Sequence, residues 1–161
     1  MDTLTPQHVK DALNEFDFDI RYLTFDESTA TSELAAEAIG CTVAQIAKSI
    51  CFMIDKSYPI LVVTSGINKV DDRKISDLEN VGRKKVKIAK PEECIEIFGY
   101  APGGVPPVGH RTEGIKIYLD DDLQQYADVY AACGTSNHNF GITPEQLAIV
   151  TGGTWQDVKK D

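Results

Sequence analysis

The sequence predicts an α+β fold in a single domain, a mostly antiparallel, barrel-like mixed sheet surrounded by short helices. Three observations predict it. Two strong apolar strands, Lys48 to Asp55 and Pro59 to Ser65, are separated only by Lys56-Ser57-Tyr58, the outline of a hairpin. The helical segments are short, each opened or closed by its own proline, threonine or glycine. The order of elements lacks the regular strand–helix–strand alternation of a parallel sheet. The 161 residues fit one domain, 1–161, long enough to bury roughly 70% of its unfolded surface.

Thr5-Pro6 opens the first helix, with Val9, Leu13 and Phe16 on one face. Residues 18 to 25 alternate loosely and read as a strand, and 32 to 39 as a helix closed by Gly40. Thr42-Val43-Ala44-Gln45 is a capping-box pattern for a further short helix. After the hairpin, 70 to 80 is helix-like with Ile75 and Leu78 inward, and 84 to 88 is a short strand. Pro91 starts a helix that Gly99 ends. Residues 99–109 are too rich in glycine and proline for helix or sheet. Strands follow at 115 to 119 and 129 to 132, then a polar turn over 133–139. Thr143-Pro144-Glu145-Gln146 caps a last helix to Val150, stopped by Gly152-Gly153.

Composition narrows the function. Apolar residues at 42% and charged residues at 25% are ordinary for a soluble globular domain. No apolar stretch approaches the ~18 residues of a membrane span. Met1-Asp2-Thr3-Leu4 has neither the basic nor the apolar part of a signal peptide, so the expected location is cytoplasmic. The four cysteines stand 10, 43 and 39 positions apart, with no Cys-x-x-Cys, and His8, His110 and His138 do not complete a zinc-finger spacing. Free thiols and no metal or other cofactor are expected. A net charge of −9 opposes indiscriminate nucleic-acid binding, which runs on phosphate neutralisation. Between Lys69 and Lys90, however, eight bases meet four acids, locally +4, while the other eight bases meet 21 acids, −13. One basic patch on an acidic body suits contact with a nucleic acid at one place, or simply a solvated helix and turn.

Lys48 shares a strand face with Ile50, Phe52 and Ile54. A lysine there must be paired, reach outward along its own stem, or point into a pocket holding an anion or a carbonyl. The loop 99–109 carries four glycines and three prolines. Glycine lets backbone N–H groups approach a ligand closely, and proline holds such a loop in one shape; a rigid surface turn has the same composition. The segment Cys133-Gly134-Thr135-Ser136-Asn137-His138-Asn139 offers a hydroxyl, an amide or an imidazole, and a Cys133–His138 nucleophilic pair is one option beside a buried structural Cys133. His110, beside the glycine loop, is either an acid/base or substrate contact or a plain surface histidine. No Gly-x-Ser-x-Gly, His-Glu-x-x-His, Walker or dinucleotide fingerprint occurs, so no conventional nucleophile-and-base set is visible.

Several of these segments resemble the YbaK family of editing domains. The likeness runs through Ser32 to Lys48, with Ala36, Gly40 and Gln45-Ile46-Ala47-Lys48-Ser49, then Gly82-Arg83-Lys84-Lys85-Val86, the loop Gly99 to Gly109, Asp120 to Leu123, and Gly134 through Leu147. It covers about residues 18–158. Its most specific parts are the lone lysine before an apolar strand and the Gly-Tyr-x-x-Gly-Gly-x-x-Pro-x-Gly loop. The family comprises free-standing relatives of the editing domain inserted in bacterial prolyl-tRNA synthetases, which hydrolyse the ester joining a wrong amino acid to tRNA.

The resemblance implies an aminoacyl-tRNA deacylase. Lys48 would hold the 3′-terminal adenosine or its phosphate, Gly103 would present its backbone to the substrate carbonyl, and Gly104 would shape the loop beside it. The terminal ribose 2′-hydroxyl would help activate water, leaving positioning and electrostatics to the protein. Phe25, Ser49, Pro106, His110, Gly134 and Asn139 are the implied substrate contacts. Phe25 stands where some members carry a tyrosine, and Asn139 where some carry an aspartate. The implied partners are the 3′ end of an aminoacyl-tRNA and a synthetase. A non-catalytic module of the same fold, docking on a synthetase or sequestering tRNA ends, is the alternative, and an amino-acid-binding regulatory domain a third reading. Neither the amino acid nor the tRNA is legible.

Overall fold

The computed structural model describes all of residues 1–161. Helix α1 spans Pro6–Leu13 and strand β1 Arg21–Thr24; α2 spans Ser32–Ile39. Strands β2, Ala47–Ile54, and β3, Tyr58–Ser65, form the hairpin. Helix α3, Asp72–Glu79, and β4, Val86–Ile88, follow. Helix α4, Pro91–Glu93, widens into a turn over Cys94–Phe98, where Gly99 N–H reaches Cys94 O five residues back at 2.9 Å. The rest is β5, Lys116–Asp120; β6, Val129–Ala132; β7, His138–Ile142; α5, Pro144–Thr151; and β8, Thr154–Gln156. No helix is long and apolar enough to cross a membrane.

The hairpin organises the larger sheet, whose order is β4-β2-β3-β5-β8. Asp55 and Lys56 both take positive φ, a turn geometry that matches strand twist, and Ser57 N–H closes the turn on Ile54 O at 2.8 Å within a three-residue connection. The register then runs from Ile54 against Tyr58 to Ala47 against Ser65. One face, with Phe52, Ile54, Ile60 and Val62, packs on Ile75 of α3, Tyr118 and Val158. The other, with Ala47, Cys51, Leu61 and Val63, packs on α1, the 99–109 loop, β6 and β7. β3 and β5 are parallel, as are β5 and β8.

The α+β single-domain expectation holds, but the sheet does not close into a barrel. The strands divide into this five-stranded sheet and a three-stranded antiparallel one, β1-β7-β6. Only the bridge from Ile46, just before β2, to Tyr130 of β6 joins them. Closure needs the outer strands of a sheet to pair, and β4 and β8 at one sheet's edges meet no strand of the other. The strand expected from residue 18 starts only at Arg21, where β7 supplies a partner; Phe16 and Phe18 stack on each other instead, 6.0 Å apart. Within the expected polar turn 133–139, residues from His138 onward are strand. Burial on both sides overrides the low strand propensity of Asn139 and Gly141 there. Three-residue β8 carries too little periodicity to be read from sequence.

Asp120, fully buried at the end of β5, locks the far end of the hairpin. Its Oδ2 accepts from Thr64 Oγ1 at 3.2 Å, Ser65 N at 2.9 Å and Asn68 Nδ2 at 2.8 Å, while Oδ1 accepts from Asp122 N at 3.0 Å. Removing this acceptor strands several buried donors. Asp120→Ala should therefore cost roughly 2–4 kcal/mol of unfolding free energy. Urea denaturation measures it, and a loss indistinguishable from zero would contradict this role.

Candidate functional site

The pairing of β2 with β3 sends alternate residues to opposite faces. Ala47 and Ser49 face a small hollow of about 50 Å³ between β2, the segment leading into α2 and the glycine loop. Its lining comprises Thr29, Ala30, Thr31, Ser32, Ala35, Ile46, Ala47, Lys48, Ser49, Gly103, Val105, Ala132 and Asn139. Of the residues singled out in the sequence, Lys48, Ser49, Gly103 and Asn139 meet here. Lys48 is exposed, the sole charged residue in the lining, and takes part in none of the chain's ion pairs. Its strand face is the one sequence periodicity assigned, and its side chain also lines a larger hollow there.

Pro102-Gly103 forms the centre of a tight turn, closed by Gly104 N–H on Ala101 O at 3.0 Å, with Gly103 at φ +93°. Proline then positive-φ glycine is the type II arrangement. Gly103 N–H donates to no acceptor in the chain. Ser49 Oγ is buried with no hydrogen-bond partner. Asn139, 3% exposed, accepts at Oδ1 from Thr29 Oγ1 at 2.7 Å, and Thr29 N–H reaches Ser136 O at 2.5 Å, tying the segment before α2 to β7. Thr31 accepts from Leu34 N at 3.2 Å as the cap of α2. The small, hydroxyl-rich run Thr29-Ala30-Thr31-Ser32 was not singled out in the sequence; its signal was small size just before a helix cap.

The remaining expected contacts lie outside the hollow. Gly104 and Gly134 are buried behind it, where Gly134 N–H donates to Gly104 O at 3.0 Å. A Cβ at Gly104 would sit 2.9 Å from Thr135 Cα, and one at Gly134 3.0 Å from Pro6 N. Both are glycine because backbones pass close together. Phe25 pairs by its backbone with Asn137: Phe25 N–H donates to Asn137 O at 3.0 Å and Asn137 Nδ2 to Phe25 O at 2.9 Å. His110 lies on the other side of the loop, in a hollow beside α1, packed edge-on to Phe98 at 5.6 Å. Its Nε2 meets the carbonyl of buried Pro106 at 2.7 Å, so that nitrogen carries the proton. With Tyr100 Oη donating to Gly109 O at 2.7 Å, this bond holds the loop in one shape.

Cys133 and His138 make no nucleophilic pair. Burial pushes the Cys133 thiol up to about 11, so it stays protonated near neutrality. His138 Nδ1 instead bonds Thr135 Oγ1 at 2.6 Å and Asn137 Oδ1 at 3.0 Å. The basic segment also divides. Lys74, Arg83 and Lys85 are in ion pairs, Lys84, Lys85 and Lys87 surround the hairpin tip, and Lys69 lines the larger hollow next to Lys48.

The Aminoacyl-tRNA editing domain family matches residues 26–149. The uncharacterised Bacillus subtilis protein YwhH is 36% identical over 138 residues, 85% of each chain. EbsC of Enterococcus faecalis, a candidate Cys-tRNA(Pro)/Cys-tRNA(Cys) deacylase, is 25% identical over 134 residues, 83% of this chain and 80% of its own. A crystal structure of a candidate trans-editing enzyme for prolyl-tRNA synthetase superposes with a TM-score of 0.88 at 38% identity, covering 97% of both chains.

Gly104→Ala, forcing a Cβ against fixed backbone, should destabilise by about 1–3 kcal/mol, read by thermal or urea unfolding. Burial also holds the His110 imidazole below its ordinary 6.5, against the opposing pull of the Pro106 bond. With the folded pKa depressed, the contribution is complete above the unfolded value and lost as pH falls from about 6.5 through the lower folded pKa. Unfolding free energy should decline over that window, and His110→Gln should flatten the decline relative to the parent chain.

Proposed function

Because the chain belongs to the aminoacyl-tRNA editing domain family, we propose that the small hollow accepts the aminoacyl group of a mischarged tRNA and that the protein hydrolyses its ester in trans. The supporting observation is the meeting of a free backbone N–H and an unpartnered hydroxyl, Gly103 and Ser49, at one small cavity, with the unpaired cation Lys48 in the strand at its edge. At ~10–15 Å³ per water-sized site, a volume of about 50 Å³ has room for a side chain of about three to five heavy atoms. Alanyl, seryl and cysteinyl groups fit that bound; aromatic groups exceed it. Mischarged tRNA-Pro is the expected carrier, in keeping with the candidate trans-editing relative, and a synthetase the expected partner.

No carboxylate, imidazole or thiol lines the hollow, so the reaction relies on the substrate for proton transfer. Water attacks the ester carbonyl, and Gly103 N–H donates to the oxygen as it gains charge. The bond from the carbonyl carbon to the ribose 3′ oxygen breaks. The water's proton passes by way of the neighbouring 2′-hydroxyl to that leaving oxygen. Lys48 holds the anionic end of the terminal nucleotide so that the ester stays in line with the water. A non-catalytic module would share this cavity, and the absent side-chain base favours that second reading if hydrolysis is not found.

A panel of mischarged tRNAs tests the proposal. Alanyl-, seryl- or cysteinyl-tRNA should release its amino acid, and phenylalanyl-tRNA should not; binding without release from any member would replace the deacylase by the binding module. Lys48→Ala should lower kcat/KM by roughly 10²-fold with the fold intact, and full activity would remove the lysine's assigned role. Ser49→Ala removes a buried hydroxyl that nothing in the chain satisfies. It should leave stability equal or higher while narrowing the preference for seryl over alanyl ester, as read from the ratio of the two kcat/KM values.

A further inference from the structure

On the opposite face of β2 lies the larger hollow, about 470 Å³, and Lys48 lines both. Its floor is apolar, built from Ile50, Phe52 and Ile88, and Ile88 is left 69% exposed. Its rim carries Lys48, Lys69 and Lys160, none in an ion pair, whereas Lys74, Arg83, Lys85, Lys116 and Lys159 all are. The acid in its lining, Asp72, is engaged by Arg83 at 2.8 Å. Three unneutralised lysines ring this hollow on a chain of net charge −9; Lys56, Lys84 and Lys87 at the hairpin tip are also free of ion pairs, but there Met53 is the one apolar wall.

Two of these cations are brought together by the backbone. Lys160 N–H donates to Lys69 O at 2.8 Å, next to the bridge between Val70 and Lys159. Their loop is fixed from below by Asn68, whose amide donates to buried Asp120 at 2.8 Å and to Asp122 at 2.9 Å. Like charges fixed side by side repel, and a shared polyanion reverses the sign of that interaction. A polyanion with flat apolar faces also uses the exposed floor, which inorganic anions and acidic peptides leave uncovered.

We propose that this hollow binds the single-stranded nucleotides preceding the esterified one in the acceptor end of tRNA, with phosphodiesters on Lys69 and Lys160 and bases against Ile50 and Ile88. The assignment rests on the reading that the small hollow takes the aminoacyl group. Lys48, common to both hollows, then marks the terminal nucleotide between them. The strand β2 separates the two subsites, amino acid on one face and RNA on the other.

The test is fluorescence anisotropy of an end-labelled, uncharged RNA tetranucleotide ending in CCA, titrated at several salt concentrations. The Lys69→Ala, Lys160→Ala double variant should raise Kd roughly tenfold at low salt and reduce the slope of log Kd against log salt by about 1.4, two phosphates at ~0.7 each. A Lys84→Ala, Lys87→Ala variant, which removes equal charge at the hairpin tip, should keep the parental slope. Parental Kd and slope in the first variant overturn the assignment. So does a poly-glutamate peptide that binds more tightly than the RNA, which identifies an acidic protein as the occupant. RNA binding that is lost in the first variant, in a protein that hydrolyses no mischarged tRNA, sustains this subsite and rejects the deacylase reading alone.

Discussion

Strand β2 is covered on both faces, and its antiparallel register with β3 decides what each face presents. A slip of one residue would carry Ser49 out of the small hollow and exchange the contacts on both sides of the strand at once. The register is fixed at one end by the positive-φ turn at Asp55 and Lys56 and at the other by Asp120, which gathers Thr64, Ser65 and Asn68 onto a single carboxylate. Between those clamps the apolar faces pack against two separate clusters, so neither cluster shifts without moving the strand.

The glycine loop is the second rigid body of the site. It is held against the strand by contacts behind it: Gly104 on Gly134, Tyr100 on Gly109 and His110 on Pro106. These residues act on the site through shape. They leave Gly103, at the tip of its turn, with an N–H free to meet a ligand. In the proposed hydrolysis a preorganised donor needs no rearrangement when charge develops on a substrate oxygen, which suits a cavity lined by no carboxylate, imidazole or thiol.

Much of this architecture is legible in the chain itself. The hairpin, the capped helices and the rigid loop follow from local patterns, because turn geometry, capping and periodicity act over a few residues. Lys48 and Gly103 were legible as a pair through the family resemblance, and Lys48's strand face through alternation alone. Strand β7 was hidden, since Asn139 and Gly141 disfavour strand until neighbours on both sides bury them. Thr29 to Ser32 was hidden for a related reason: short side chains become a pocket wall only when another segment, here Asn139, comes opposite.

The sequence by itself determined that the chain is an α+β domain with a lone lysine on an apolar strand, a glycine-proline loop of one shape, and no conventional nucleophile. Those properties depend on interactions between near neighbours. The tertiary structure alone decided that the strands form two sheets joined at Ile46 and Tyr130, that Cys133 is a protonated core residue, and that His110 braces the loop from outside. It also decided that Lys69 and Lys160 stand side by side, although 91 positions separate them in the chain. Such facts depend on long-range pairing, in which the partner sets each residue's environment, and no local pattern encodes the partner.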